Sequence, residues 1–206
     1  MSAKLSLLVT ACEPKDLTEF MSKNPHVIEE CSELTLLIAK DHRLGGQARI
    51  GNRLLESASG NVVGLVHADT TFGPGDLPRL AETANEGKVC GMVGRSTLDD
   101  VGICSGYVWG KDIQSETSVS TLDGCSIFLP RGIGCRFDDK TFDGFHCVVE
   151  DFCLAVEDLG IPVVVPKLES ANHVGKSTFS AQWRAEYDKY KERLLRKWCG
   201  ASFRTT

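Results

Sequence analysis

The chain has 206 residues, 42% hydrophobic and 25% charged, with a formal net charge of -5. These values predict one soluble globular domain and argue against a general polyanion binder, leaving room only for a local basic patch. No apolar run approaches the roughly 20 residues that span a bilayer, and nine cysteines without a Cys-x-x-Cys pair predict reduced thiols rather than a disulfide frame or a zinc site.

The N-terminus, Met1-Ser2-Ala3-Lys4-Leu5, runs straight into a strand and shows no signal-peptide cleavage pattern, so the expected location is cytoplasmic. Residues 5–11 read as that first strand, and Pro14 opens a short helix. No Gly-x-Gly-x-x-Gly follows the strand, which removes the best support for a dinucleotide-binding Rossmann domain. Residues 34–40 read as a second buried strand ending in Asp41. Ile50, Leu54 and Ala58 then recur every four residues, the mark of a helix with one buried face.

The run Asn61-Val62-Val63-Gly64-Leu65-Val66-His67-Ala68-Asp69 suits a central strand buried on both faces. It breaks into the turn-rich Thr70-Thr71-Phe72-Gly73-Pro74-Gly75. A carboxylate where a buried strand leaves an open α/β sheet lies at the crevice where such sheets bind ligands. His67 and Asp69 are two apart, so in an extended chain they point the same way and offer an imidazole and a carboxylate to a divalent cation.

A helix over 74–86 and a strand over 89–94 follow. Strand and helix alternating at this rhythm predict parallel pairing with right-handed crossovers. Residues 95–120 break the rhythm; a polar, aperiodic stretch of this length inside a domain reads as a functional loop, here a mobile lid or acceptor-recognition loop. The sheet resumes over 121–129. Phe142-Asp143-Gly144-Phe145-His146 is a turn into a helix over 148–159 whose core stripe is Val148, Phe152, Ala155, Val156 and Leu159. That places Glu150 and Asp151 in its first turn, where acidic residues also favour the helix dipole. A last strand over 161–165 leads to His173, and a closing helix over about 180–199 carries Trp183, Tyr187, Tyr190, Leu194 and Trp198 on one face. Gly175-Lys176-Ser177-Thr178 looks like the end of a P-loop, but Ser170 stands where that motif needs its first glycine. Lys176 remains available to a phosphate without implying an NTPase.

Three separated segments together resemble the GT-A glycosyltransferases of the broad family 2 lineage. They are Gly51-Asn52 through Asp69, Leu122-Asp123-Gly124 through Leu154 with Gly160, and His173 with the turn after it. The resemblance implies a single α/β domain over 1–206, Rossmann-like, with a central mostly parallel sheet flanked by helices. It also implies a hexosyltransferase-like enzyme that moves a sugar from a nucleoside-diphosphate sugar, most simply a UDP-sugar, to a hydroxyl acceptor.

Residue roles carry over where positions match. Asp69 matches the final carboxylate of the D-x-D motif, which holds a divalent metal, Mn²⁺ or Mg²⁺. His173 matches the histidine that completes the metal site, and His67 is either a further ligand or a contact to sugar or ribose. Thr10, Asp41 and Asn52 fall among the nucleotide-side positions, and Asp123 and Gly124 among those lining the sugar cleft. Relatives carry two acidic residues flanking one other before the next helix; aligned on Cys153 and Gly160, those positions are Val149 and Asp151. The base is thus Asp151, which keeps the acidic position, or Glu150 between them, with Asp151 preferred. A single in-line displacement predicts inversion. The missing carboxylate at Val149 motivates a rival reading, a noncatalytic nucleotide-sugar or glycan-binding module. The basic closing helix motivates a third, a glycosyltransferase acting on a modified nucleobase in DNA.

Overall fold

The computed structural model describes residues 2–38, 46–96, 103–104, 111–173 and 181–198. Strand β1 (Leu5–Ala11), helices α1 (Pro14–Lys23) and α2 (Val27–Glu30) and strand β2 (Glu33–Ile38) open the chain. Helix α3 (Gly46–Ser57), strands β3 (Val62–His67) and β4 (Thr70–Thr71) and helix α4 (Asp76–Asn85) follow. Then come β5 (Val89–Cys90), β6 (Val93–Arg95), β7 (Ile103–Cys104), β8 (Lys111–Asp112), β9 (Thr117–Ser118), β10 (Thr121–Leu122) and β11 (Ser126–Pro130). Helix α5 (Val148–Asp158), strands β12 (Val163–Val165) and β13 (Asn172–His173) and helix α6 (Ala181–Lys197) close it.

Seven strands form the main sheet in the order β2-β1-β3-β11-β5-β12-β9. Strands β2, β1, β3, β5 and β12 run one way, and β11 and β9 run the other. The sheet is mostly parallel, as the rhythm predicts, with β11 inserted antiparallel between β3 and β5. Successive side chains leave opposite faces of a strand, and the core divides accordingly. Leu8, Val63, Leu65, Ile127 and Leu129 share one cluster with Ile50 and Leu54 of α3, Phe152 of α5 and Leu194 of α6. Leu7, Val9, Val66 and Phe128 share the other with Phe20 of α1 and Leu77 and Leu80 of α4. Gly64 lies at the centre of β3 because Phe128 packs against its backbone; a Cβ there would come within 2.6 Å of the Phe128 ring.

Four departures from the sequence expectations have physical causes. Strand β2 is an edge strand rather than a buried one, so Leu36 remains 41% exposed. The expected strand over 89–94 divides at Gly91-Met92, with β5 in the main sheet and β6 in a second sheet ordered β10-β6-β7-β8. The expected strand over 121–129 divides likewise into β10 and β11, and Asp123-Gly124-Cys125 is the passage between the two sheets. Leu159, placed in the α5 stripe by periodicity, caps the helix and is 61% exposed. Within the expected loop over 95–120, strands β7 and β8 pair parallel and β9 joins the main sheet beside β12; residues 97–102 and 105–110 lie outside the described residues. Among the described residues no helix is long and apolar enough to cross a membrane.

Candidate functional site

The parallel register of β1 and β3 sets Thr10 opposite His67 where both strands end. Thr10 donates its hydroxyl to the Val66 carbonyl at 3.3 Å, and the Ala68 amide donates to the Thr10 carbonyl at 2.9 Å, so the chain leaves β3 in a fixed direction. The Thr70 hydroxyl donates to the His67 carbonyl at 2.7 Å and closes the turn around Asp69. The two residues after that turn form β4, which pairs antiparallel with β13 and sets His173 opposite Thr70. A residue more than one hundred positions away thus arrives beside Asp69. His173 Nε2 stands 3.3 Å from Asp69 Oδ1, and ligand atoms of His67, Asp69 and His173 all lie within 4.8 Å of one another.

The electrostatics of the three suit a cation. Burial lowers the pKa of His67 more than the charges of Asp69 and Asp123 raise it, so its imidazole is held neutral with a lone pair to offer. Burial opposes ionisation of Asp69, but the hydrogen bond and charge of His173 outweigh it and hold the carboxyl below its ordinary range. Burial likewise opposes protonation of His173, and the bond to Asp69 with the charges of Asp69 and Asp123 outweigh it, raising its pKa. A divalent ion bound there would take the place of that hydrogen bond between His173 and Asp69. His173 Nδ1 is buried with no hydrogen-bond partner among the described residues.

The first turn of α5 supplies the neighbouring carboxylates. Glu150 is partly buried, and its pKa is pushed up to about 7, first by burial and then by the charge of Asp123. Asp151 is placed otherwise than the alignment leads one to expect. It is 2% exposed, and Lys197 reaches its oxygens at 2.8 and 2.9 Å while the Trp198 indole N–H donates at 2.8 Å. Lys197 also donates to Asp138 at 2.9 Å, and Asp138 in turn accepts the Lys140 and Thr141 amides at 3.1 and 3.0 Å. Asp151 is therefore a tie between α5, α6 and the loop that precedes α5.

That loop is held from several sides. The Arg193 guanidinium donates to the Thr141 carbonyl at 2.8 Å and to Asp143 at 2.7 Å, and the Tyr190 hydroxyl donates to Asp143 at 2.8 Å. The Gln47 amide donates to the Gly144 carbonyl at 2.9 Å. Gly46 starts α3 at φ 81°, and a Cβ there would meet the Asp143 carbonyl at 2.5 Å, so this junction requires glycine. The loop delivers His146, whose ring lies 5.0 Å from Trp183 and 5.8 Å from Tyr187; Trp183 and Tyr187 stack at 5.4 Å and 5°.

No family model matches the sequence, and no curated protein does. Solved structures do match across nearly the whole chain. A mannosyltransferase from Pyrobaculum calidifontis, PcManGT, solved with GDP-Man and Mn²⁺, superposes at TM-score 0.62 with 13% identity over 96% of this chain and 64% of its own. GalNAc-T7, solved with UDP, GalNAc and Mn²⁺, gives TM-score 0.61 and 10% identity over 94% of this chain and 50% of its own. A197 from STIV gives TM-score 0.55 and 13% identity over 84% of this chain and 86% of its own. The chain has the GT-A fold. It spans 64% and 50% of the lengths of the first two proteins.

On this GT-A frame, His67, Asp69 and His173 gather at the carboxyl edge of the sheet, Asp123 lies beside His173, Glu150 feels the Asp123 charge, and Thr10 is the penultimate residue of the strand beside them. Gly124 lies in the passage between the two sheets and accepts a long contact of 3.5 Å from the Gln47 side-chain amide. Asn52 is directed elsewhere. Its amide donates to the Phe137 carbonyl at 2.9 Å and accepts the Phe137 amide at 2.9 Å, so both ends of the side chain hold the loop that carries Phe137. Asp41 and Lys176 lie outside the described residues. Sequence reasoning passed over Cys125, His146 and Tyr187. Cys125 stands two residues beyond Asp123, the same interval that separates His67 from Asp69, and that interval was the available signal.

Proposed function

We propose that this chain is a metal-dependent, inverting glycosyltransferase that moves a sugar from a nucleoside-diphosphate sugar to a hydroxyl acceptor. The observation that carries the reading is the convergence of His67, Asp69 and His173 within 4.8 Å at the carboxyl edge of a GT-A sheet. An ionised carboxylate, a neutral imidazole and a second imidazole whose Nε2 faces that carboxylate fit Mn²⁺ or Mg²⁺, with the two imidazoles favouring Mn²⁺. These residues would hold the ion, and bound there it would supply Lewis-acid neutralisation of the departing diphosphate.

The remaining work falls to the chain. The resemblance assigns the nucleotide to Thr10 and Asp41, a phosphate to Lys176, and the donor sugar to Asp123 and Gly124. The base in this proposal is Glu150 rather than Asp151. A base poised near the working pH transfers protons best, and a carboxyl at about 7 beside Asp123 meets that condition. The carboxylate of Asp151 is already bonded to Lys197 and Trp198. The Trp183–Tyr187 pair borders the same side, where burial first, and then the charge of Glu150, raises the Tyr187 pKa; acceptor approach is assigned to that side. A poised Glu150 also answers the vacancy at Val149 that motivated a noncatalytic module. Of the basic residues of α6, Arg193, Arg196 and Lys197 are each paired with acids, which reduces the support for a DNA acceptor and leaves Arg184, Lys189 and Lys191 as what remains of that reading.

The test is a thermal-shift screen of nucleoside diphosphates and their sugars, with UDP and UDP-sugars first, in Mn²⁺ and in excess EDTA. Stabilisation that requires the metal is expected. Equal stabilisation in EDTA, or none with any nucleotide, overturns the reading.

A further inference from the structure

We propose that Asp123, Cys125 and His173 form a second cation site, one containing a thiolate, which takes a thiophilic divalent ion of the zinc class and shares His173 with the Asp69 site. Ligand atoms of these three residues lie within 4.8 Å of one another, as those of His67, Asp69 and His173 do. Each arrives from a different part of the fold. Cys125 is brought in by the antiparallel ladder of β11 on β3, where the His67 amide donates to the Cys125 carbonyl at 2.9 Å. Asp123 turns back over it, accepting the Cys125 amide on Oδ1 at 2.9 Å. His173 comes from the pairing of β13 with β4.

A buried cysteine is ordinarily a small apolar side chain in a core. Cys125 is fully buried, yet its surroundings are polar: its sulfur lies 3.9 Å from the Ser126 hydroxyl, hydrogen-bonds with the Asp123 carboxylate and is grouped with the His173 imidazole. The independent observation is His173 Nδ1, buried and without a hydrogen-bond partner among the described residues. An imidazole with one nitrogen at Asp69 and the other orphaned is a ligand with capacity to spare.

The two donor sets differ in softness. His67, Asp69 and His173 offer nitrogen and oxygen, whereas Asp123, Cys125 and His173 offer oxygen, sulfur and nitrogen. Zinc-class ions favour sulfur with nitrogen, and three protein ligands leave one tetrahedral position open. On binding, the Cys125 thiol releases its proton to solvent, the sulfur lone pair forms the metal–sulfur bond, and water leaves the ion. Because His173 belongs to both sets, a neutral ring that gives Nδ1 to an ion in the sulfur site keeps its proton on Nε2, facing Asp69, and has no second lone pair for the donor metal. A zinc-class ion is then an antagonist of the donor metal; this consequence, but not the site itself, rests on the function proposed above.

The experiment uses the full chain, metal-free and without nucleotide, titrated with Co²⁺ as the probe. A near-ultraviolet sulfur-to-cobalt charge-transfer band is expected, removed by added Zn²⁺. Cys125→Ser should abolish it, Asp123→Asn should weaken Co²⁺ binding about tenfold or more, and Asp69→Asn should retain it. Co²⁺ binding without the band, or a band that survives Cys125→Ser, overturns the site. Should Cys125→Ser fail to fold by circular dichroism, Asp123→Asn decides, and unchanged affinity there overturns it equally. A band that behaves as expected in a protein with no metal-dependent nucleotide binding upholds the site and overturns the function instead.

Discussion

Asp69 and Asp151 are both aspartates with a nitrogen partner, and their surroundings assign them opposite work. The Asp69 side chain is 42% exposed and its close partner is His173, a group that can exchange its proton for a metal. The Asp151 side chain is 3% exposed and is bound by Lys197 and Trp198, neither of which gives up its proton near neutral pH. A carboxylate is available for chemistry when its lone pairs are not already spent. By that measure the strand-end region is the candidate site and the α5–α6 junction is a clamp, and the proposed function puts Glu150 of the same helical turn to work on the site side.

The largest expected effect tests which side of that turn does the chemistry. Glu150→Gln should lower transfer by about 10²–10⁴-fold, the usual contribution of a general base, while metal-dependent nucleotide binding persists. Asp151→Asn should keep a much larger share of turnover per folded molecule. If Asp151→Asn loses turnover with the fold and donor binding intact and Glu150→Gln does not, the comparison inverts.

Next in size is the clamp itself. Asp151→Ala leaves Lys197, whose side chain is 32% exposed, beside Asp138 alone; losing hydrogen bonds to a charged group in such a half-solvated place costs about 1.5–3 kcal/mol. A denaturant melt should show a loss of that order; a loss below about 1 kcal/mol would mean that α6 docks without this tie.

On the site side, Asp69→Asn should remove the metal-dependent part of nucleotide stabilisation. With ligand about 100-fold above its dissociation constant that part is about 2.7 kcal/mol, read as a thermal shift in Mn²⁺ against EDTA. Retention of the full shift would place the metal elsewhere.

The smallest effects concern pH. Glu150 must be ionised to accept a proton, so transfer should rise with pH through about 7 and level off above it. The stability sign is opposite. The folded chain keeps the Glu150 proton up to about 7, whereas an unfolded carboxyl loses it near the ordinary value of 4.5, so the unfolded state binds fewer protons in that window and stability falls as pH rises across it. Above it, Glu150→Gln should stabilise the fold by about 1 kcal/mol, the usual trade between stability and activity. A variant that melts lower at pH 8 would show that the charge of Glu150 is well solvated.

Periodicity and residue type settled much of this protein in advance. The branched run 62–66 could hardly be anything but a central strand, and the spacing of Ile50, Leu54 and Ala58 marked a helix with a single core face. The His-Ala-Asp ending after that strand marked the edge where His67 and Asp69 meet His173. These features are local, because a period of two or 3.6 is written within a few residues of itself.

What the linear pattern left open depends on partners far along the chain. Whether β2 is buried depends on its place in the strand order, and no residue within β2 encodes that place. The strands over 89–94 and 121–129 divide because two sheets share them, so Asp123, Gly124 and Cys125 become a passage instead of a strand interior. Cysteine spacing argued against a zinc frame, and only the pairing of β11 with β3 and of β13 with β4 brings Cys125 beside Asp123 and His173. The acidic pair in α5 is the plainest case. Helical geometry puts Glu150 and Asp151 about 100° apart, but α6 alone, reaching back from Lys197 and Trp198, occupies one and leaves the other to the cleft. Covalent order fixes which groups are present and how neighbours are spaced; the availability of a lone pair is decided by what folds against it.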